Sequence, residues 1–222
     1  MGETVTIRAV IFDIGETLIN ETRLWAEWAD WLGVSRLTLF AALGAVIERG
    51  EHHLRAFQLV RPGFDVEREE AARAAAGIPN NFDQRDLYPD VRPCLEALRS
   101  EGYLIGVAGN QPARADAQLR ALGLPFDLIG ISAAWGVEKP SLEFFSRIVR
   151  AAGLPPGEIA YVGDRLDNDI LPALAAGMAT VFLRRGPWAY LHAARLELAQ
   201  AHICIESLAE LPAALAQYDK KR

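Results

Sequence analysis

The chain has 222 residues, 51% of them hydrophobic and 23% charged, enough for one sizeable core or a core plus a small second domain, and not the composition of a disordered or fibrous chain. Twenty-nine Asp and Glu against twenty-three Lys and Arg leave a formal charge of −6, and no basic run exceeds the three residues at the C-terminus, so neither nucleic acid nor an anionic membrane is an expected partner. Cys94 and Cys204 lack CxxC spacing and sit in apolar settings, which predicts buried thiols rather than a disulfide or a zinc site. The N-terminus has no secretory pattern and no window reaches the roughly 18 apolar residues of a membrane span, so the expectation is a soluble cytoplasmic protein.

In chain order, Arg8 to Phe12 is a continuous apolar run and the first predicted strand. From about Asn20 to Tyr88 no strand pattern occurs and helical punctuation dominates. Asn20 can cap a helix stopped at Gly33, Ser35 one stopped at Gly50, and Asp65 one stopped at Gly77. Leu37, Phe40, Gly44 and Ile47 are the expected apolar face of the second of these. The alternation then changes: a strand over Leu104 to Ala108, a helix from Pro112 to Gly123, and a strand over Leu128 to Ile131. Next come a helix capped by Ser141 and closed by Gly153, a strand over Ile159 to Val162, and an acidic turn leading into a helix stopped at Gly177. Thr180 to Leu183 and, more weakly, His202 to Ile205 complete the strands, and Ser207 with Glu210 has capping-box spacing before the last helix.

Apolar strands separated by helices of about ten residues predict an α/β fold: an open parallel Rossmann-like sheet with helices on both faces. The helical stretch makes a small all-helical cap inserted after the first strand. The predicted domains are thus a core of residues 1–19 and 89–222 and a cap of residues 20–88. In an open α/β sheet, an insertion after the first strand lands at the carboxyl ends of the strands, where ligands bind.

Those carboxyl ends carry the chemistry. The first strand delivers Asp13 in IFDIGETL, the second Gly109 and Asn110 in GVAGNQP, and the fourth Gly163 and Asp164 in YVGDRLDND, with Asp167 and Asp169 close behind. Lys139 precedes a helix in GVEKPS. A single Asp after a strand is commonly a turn or a cap. Asp13, Asp164 and Asp169 converging with Lys139, however, would place three carboxylates and one ammonium at one sheet rim, where like charges repel; a divalent cation relieves this, and oxygen ligands without imidazole or thiolate point to Mg²⁺.

The ordered set of motifs, spanning nearly the whole chain, resembles the haloacid-dehalogenase-like hydrolases, which are mostly Mg²⁺-dependent phosphatases. Asp13 and Thr17 match the first Asp and the Thr of that family's Asp-x-Asp-x-Thr motif, and Lys139, Asp164 and Asp169 match its lysine and its two late acids. The resemblance implies Asp13 as a nucleophile forming an aspartyl-phosphate and Lys139 as the group that neutralises it. It further implies Asp164 as a Mg²⁺ ligand, Asp169 behind it supporting the metal and the lysine, and a small phosphorylated molecule as substrate. An aspartate is ionised at neutral pH and needs no base to attack phosphorus. Backbone N–H groups at the Asn110 and Arg165 turns are candidates for holding phosphoryl oxygens.

Two positions depart from the pattern. Gly15 replaces the second Asp of the first motif, whose carboxyl protonates the leaving group and whose backbone carbonyl touches the metal; Gly15 retains only the carbonyl. A missing general acid/base is worth about 10² to 10⁴ in rate, which predicts a preference for substrates with acidic leaving groups. Glu16, one position later, is a candidate replacement or else a surface carboxylate. Gly109 stands where the family has Ser or Thr, removing a hydroxyl worth about 1.5 to 3 kcal/mol to a phosphoryl oxygen. Asn110 is either a phosphate contact or a helix cap.

In the cap, Trp25, Trp28 and Trp31 recur at three-residue spacing, as expected of core packing, while Arg23 and Trp25 in the first turn are candidate substrate contacts. No chemistry is assigned to His52, His53, His192 or His202. A non-catalytic Mg²⁺- and phosphate-binding regulatory protein is the alternative from another class, and a 2-haloacid dehalogenase a minor one. Nothing in the sequence sets an oligomeric state.

Overall fold

The structure, a computed structural model, describes residues 6–221; residues 1–5 and 222, which the expected core range includes, lie outside them. Six strands form one sheet: β1 (Ala9–Phe12), β2 (Leu104–Gly109), β3 (Leu128–Ile131), β4 (Ile159–Gly163), β5 (Ala179–Leu183) and β6 (Ile203–Ile205). Their order is β3-β2-β1-β4-β5-β6 and every pairing is parallel. This is the doubly wound α/β arrangement, with the connection reversing direction between β1 and β4, so the carboxyl ends of those strands form the crevice where such sheets bind ligands.

Every residue of β1, β4 and β5 is buried, which requires cover on both faces of the sheet. Ala9 and Ile11 share a cluster with Phe144, Phe145 and Ile148 of the helix Leu142–Ala152. Val10 and Phe12, which point to the opposite face by the pleat, are equally buried. Ser141 caps that helix by accepting from the Glu143 N–H, and Gly153 ends it in the left-handed conformation.

The chain divides into two compact units, Met1–Ile19 with Leu87–Arg222, and Asn20–Asp86, so Leu87 and Tyr88 fall with the sheet-bearing unit. The second unit is helical: Thr22–Leu32, Arg36–Glu48, Arg55–Val60 and Val66–Ala75. Within it Trp28 and Phe64 pack on Phe57, Trp25 stacks on Phe57 with ring centroids 5.2 Å apart, and the Trp31 indole donates to Glu69. Asn20 N–H donates to the Asp86 carbonyl at 2.7 Å, closing the ends of the segment on each other.

Some expectations are corrected. The Arg36–Glu48 helix buries Leu39, Leu43, Val46 and Ile47, while Leu37 is 78% exposed; the helix is apolar nearly all round, so spacing alone does not select the buried face. Cys94 is buried but Cys204 is exposed, because strand alternation turns it away from Ile205. Several helices lack a side-chain cap. Thr22–Leu32 has Glu21 and not the expected Asn20 as its N-cap. Arg55–Val60 and Val91–Ser100, which are not among the expected helices, have none either, and Gly186–His192, also unexpected, opens on a Gly-Pro pair that reads as a turn. Among the described residues no single helix is long and apolar enough to cross a membrane.

Candidate active site

Parallel register sets the site. Phe12 is level with Val107 of β2 and Val162 of β4, and the Asp13 N–H donates to the Val162 carbonyl at 2.8 Å, so Asp13 leaves β1 between the ends of its two neighbours. Asp164 follows β4 directly. Beyond it the chain makes a π-turn, Leu166–Ile170, a rare geometry that recurs at functional sites. The turn folds Asp169 back over the end of β4 so closely that a Cβ on Gly163 would lie 2.6 Å from that of Asp169.

Four residues are thereby gathered. The Lys139 ammonium donates to Asp13 Oδ1 and to Asp169 Oδ1, each at 2.6 Å, and is itself 3% exposed. Asp13, Asp164 and Asp169 each present a carboxylate oxygen, these oxygens lying within 4.8 Å of one another. Burial opposes the charge on Lys139, but the two carboxylates outweigh it and raise its pKa well above the usual lysine range. Burial, offset in part by Lys139, pushes Asp169 up to about 6. Asp164 is driven well above the carboxylate range by burial and by the negative charges of Asp169, Asp13 and Glu16. Its Oδ2 has no hydrogen-bond partner among the described residues. The positive charge of Arg165 offsets this only in part, since that guanidinium is bonded to Asp167. Three buried carboxylates facing one ammonium, with an orphaned oxygen, form an all-oxygen donor set that fits a hard divalent cation.

Two supporting roles escape motif reading, that of Asn110, expected as a phosphate contact or a helix cap, and that of Tyr161. Both ends of the Asn110 amide engage the Lys139 backbone, Nδ2 donating to its carbonyl at 2.9 Å and Oδ1 accepting from its N–H at 2.8 Å. Asn110 thus holds the lysine's segment rather than capping a helix. Tyr161 lies beneath the ammonium, 5.6 Å from ring centroid to Nζ, with its hydroxyl donating to the Ala108 carbonyl. A lone polar-tipped aromatic in the aliphatic run of β4 is the available sequence signal for it.

The remaining candidates are placed as follows. The Arg165 N–H donates to Asp169 Oδ2 at 3.0 Å, so it is not available to a phosphoryl oxygen as expected; the π-turn directs Asp169 onto it. Thr17 is fully buried with its hydroxyl unpartnered among the described residues, and Gly15 forms a bridge with Ile19. Glu16 is 6% exposed, not a surface carboxylate, and accepts from the Tyr88 hydroxyl. In the helical unit, Arg23 is bonded to Asp86, Glu27 and the Asn81 carbonyl, and Trp25 is half-buried on Phe57.

Fold and site define an α/β enzyme with an acidic, lysine-bridged centre at the switch point of a parallel sheet. A family model described as a haloacid dehalogenase-like hydrolase matches residues 7–177. Glyceraldehyde 3-phosphate phosphatase of Methanopyrus kandleri is 36% identical over 200 residues, 82% of this chain and 86% of that protein. The protein of the same name from Pyrococcus furiosus is 29% identical over 203 residues, 83% and 84% of the two chains. The crystal structure of β-phosphoglucomutase from Clostridium difficile shares the fold, with a TM-score of 0.68 over 97% of this chain and 99% of that one at 17% identity. The chain belongs to the haloacid dehalogenase-like hydrolase family and is a hydrolase of the phosphatase type.

Proposed function

We propose that the protein hydrolyses a small phosphorylated metabolite through an aspartyl-phosphate on Asp13. The observation that carries this reading is the convergence of Asp13, Lys139, Asp164 and Asp169 at the ends of β1 and β4, with one Asp164 oxygen lacking a partner. Asp13, Asp164 and the Gly15 carbonyl would hold Mg²⁺, with Asp169 behind them. When bound, the cation supplies positive charge that lowers the repulsion between an anionic nucleophile and an anionic phosphoryl group.

The chain's own residues do the rest. Lys139, fixed by Asn110 and Asp169, spreads the negative charge of Asp13 and of the phosphoryl oxygens. Asp13 forms a new O–P bond as the P–O bond to the leaving group breaks, and the electron pair departs with the leaving oxygen. Water then attacks the acyl phosphate, releasing orthophosphate and restoring the Asp13 carboxylate. Gly15 offers no carboxyl to protonate the leaving oxygen, so the rate depends steeply on leaving-group acidity. Acetyl phosphate and para-nitrophenyl phosphate are expected to be turned over faster than an alkyl phosphate such as glyceraldehyde 3-phosphate, the substrate in the relatives' names.

The test is steady-state hydrolysis of these three compounds with Mg²⁺ and with a chelator, for wild type and Asp13→Asn. Turnover that needs Mg²⁺, is lost in Asp13→Asn by about 10³-fold or more, and leaves a phosphorylated Asp13 peptide supports the reading. No turnover of any of them, with Mg²⁺-dependent thermal protection by a phosphorylated metabolite, overturns it in favour of a binding protein.

A further inference from the structure

Glu16 is in an unusual state. It is the one non-glycine residue with positive φ among the described residues, at φ 52, and its carboxylate is buried. Strain of that kind persists only where surrounding contacts fix it, and here they come from chain segments far away in sequence. The Tyr88 hydroxyl donates to Glu16 Oε2 at 2.6 Å. The Arg185 guanidinium lies 4.0 Å from the Tyr88 ring centroid, donates to the Thr17 carbonyl at 3.0 Å and forms an ion pair with Asp90. Gly186 closes the arrangement, since a Cβ there would lie 2.6 Å from Glu16 Cβ. Burial and the Glu16 charge raise the Tyr88 phenol above its ordinary range, so it stays a donor at neutral pH.

We infer that Tyr88 and Arg185 are positioning residues for Asp13: acting through the Glu16 carboxylate and the Thr17 carbonyl, they hold the turn that follows the nucleophile. The turn's own bonds, from the Glu16 N–H to the Ile19 carbonyl and from the Leu18 and Ile19 N–H groups to the Ile14 carbonyl, connect that restraint to the residue next to Asp13. Glu16 serves here as an acceptor and not as the acid/base that Gly15 lacks. A nucleophile displaced by about an ångström loses on the order of 10² in rate, which is the leverage such a clamp has.

The inference rests on the phosphatase reading only for its kinetic part, so the experiment has two readouts. Wild type, Tyr88→Phe, Glu16→Ala and Glu16→Gln are compared by hydrogen exchange at the Glu16, Leu18 and Ile19 amides, and by kcat and KM for para-nitrophenyl phosphate with Mg²⁺. Tyr88→Phe keeps the ring under Arg185 and removes only the hydroxyl. It and Glu16→Ala are expected to lose about tenfold or more in protection at those amides, with β4 amides unaffected. Their kcat is expected to fall about ten- to hundredfold at little-changed KM. Glu16→Gln, which retains an acceptor oxygen, recovers most of what Glu16→Ala loses. Unchanged protection in Tyr88→Phe overturns the inference, as does lost protection without loss of kcat. Glu16→Gln as inactive as Glu16→Ala overturns it in favour of acid/base chemistry. A wild type without turnover defeats the phosphatase reading instead, and exchange alone then decides whether the clamp exists.

Discussion

Gly109 ends β2 against the flank of Asp13: a Cβ there would lie 2.8 Å from Asp13 Oδ1, the oxygen that also accepts from Lys139, and 3.1 Å from Ile14 Cδ1. From the sequence, the glycine reads as the loss of a phosphate-binding hydroxyl. The structure adds that the position is filled by the Asp13 carboxylate, the proposed nucleophile, so a side chain there competes with the Asp13–Lys139 contact. Gly109→Ser is therefore expected to lower kcat by about tenfold or more instead of improving it. Steady-state kinetics on an aryl phosphate check this, and a higher kcat would show that Asp13 moves aside without penalty. Asn110 makes the same point differently, its amide being committed to the Lys139 backbone.

At the scale of elements, the π-turn Leu166–Ile170 brings Asp169 to Lys139, and His192 supports the turn. The Leu166 N–H donates to His192 Nδ1 at 3.1 Å, and the imidazole is 1% exposed. Burial lowers its pKa from 6.5 to about 4, the nearby Asp167 offsetting part of the effect. The sign follows from linkage. Between pH 6.5 and 4 the unfolded chain binds a proton at this histidine and the folded protein does not, so stability is full above about pH 7 and declines as the pH falls through that window. A shift of this size corresponds to a loss on the order of 2 to 3 kcal/mol by pH 4. Urea denaturation at pH 7.5 and pH 4.5 should show a wild-type loss that is largely absent in His192→Gln, and equal losses in both proteins would remove His192 from the account. Isolated in sequence, this histidine carries no chemical signal; its acceptor role arises from the meeting of the Gly186–His192 helix with the turn after β4.

At the scale of the whole molecule, Asp13, Lys139 and the Asp164–Asp169 pair come from three separate segments and only the folded sheet assembles them. A divalent cation held by this set binds the native state alone. Mg²⁺ at about a hundredfold over its dissociation constant is therefore expected to raise stability by about 2.7 kcal/mol, an increase reversed by chelation and absent in Asp164→Asn. Thermal melts with and without Mg²⁺ measure it, and an equal shift in the variant would place the cation elsewhere. Within the helical unit, Arg23 joins Glu27 and Asp86, and the buried Arg73 guanidinium sits over Trp28 and bonds to Glu27.

Much of this is legible in the sequence, because strand runs, left-handed glycine stops and side-chain caps act over a few residues. β1 to β6, the glycines at 33, 153 and 177, the Ser141 cap and the Ser207–Glu210 capping box all follow from neighbours along the chain. An acid at the end of each central strand is likewise a local pattern, and in a parallel sheet local position at a strand end is also position at the crevice. Partner choice is not local. That Glu16 would meet Tyr88, Asn110 the Lys139 backbone, and the Arg165 N–H Asp169 depends on which segments the order β3-β2-β1-β4-β5-β6 and the π-turn bring within hydrogen-bond distance. Strands, their punctuation and the residue types at the sheet's rim are written along the chain. What each polar side chain is bonded to is set by the fold, because a hydrogen bond requires an approach of about 3 Å, and no periodicity along one chain encodes that between segments tens of residues apart.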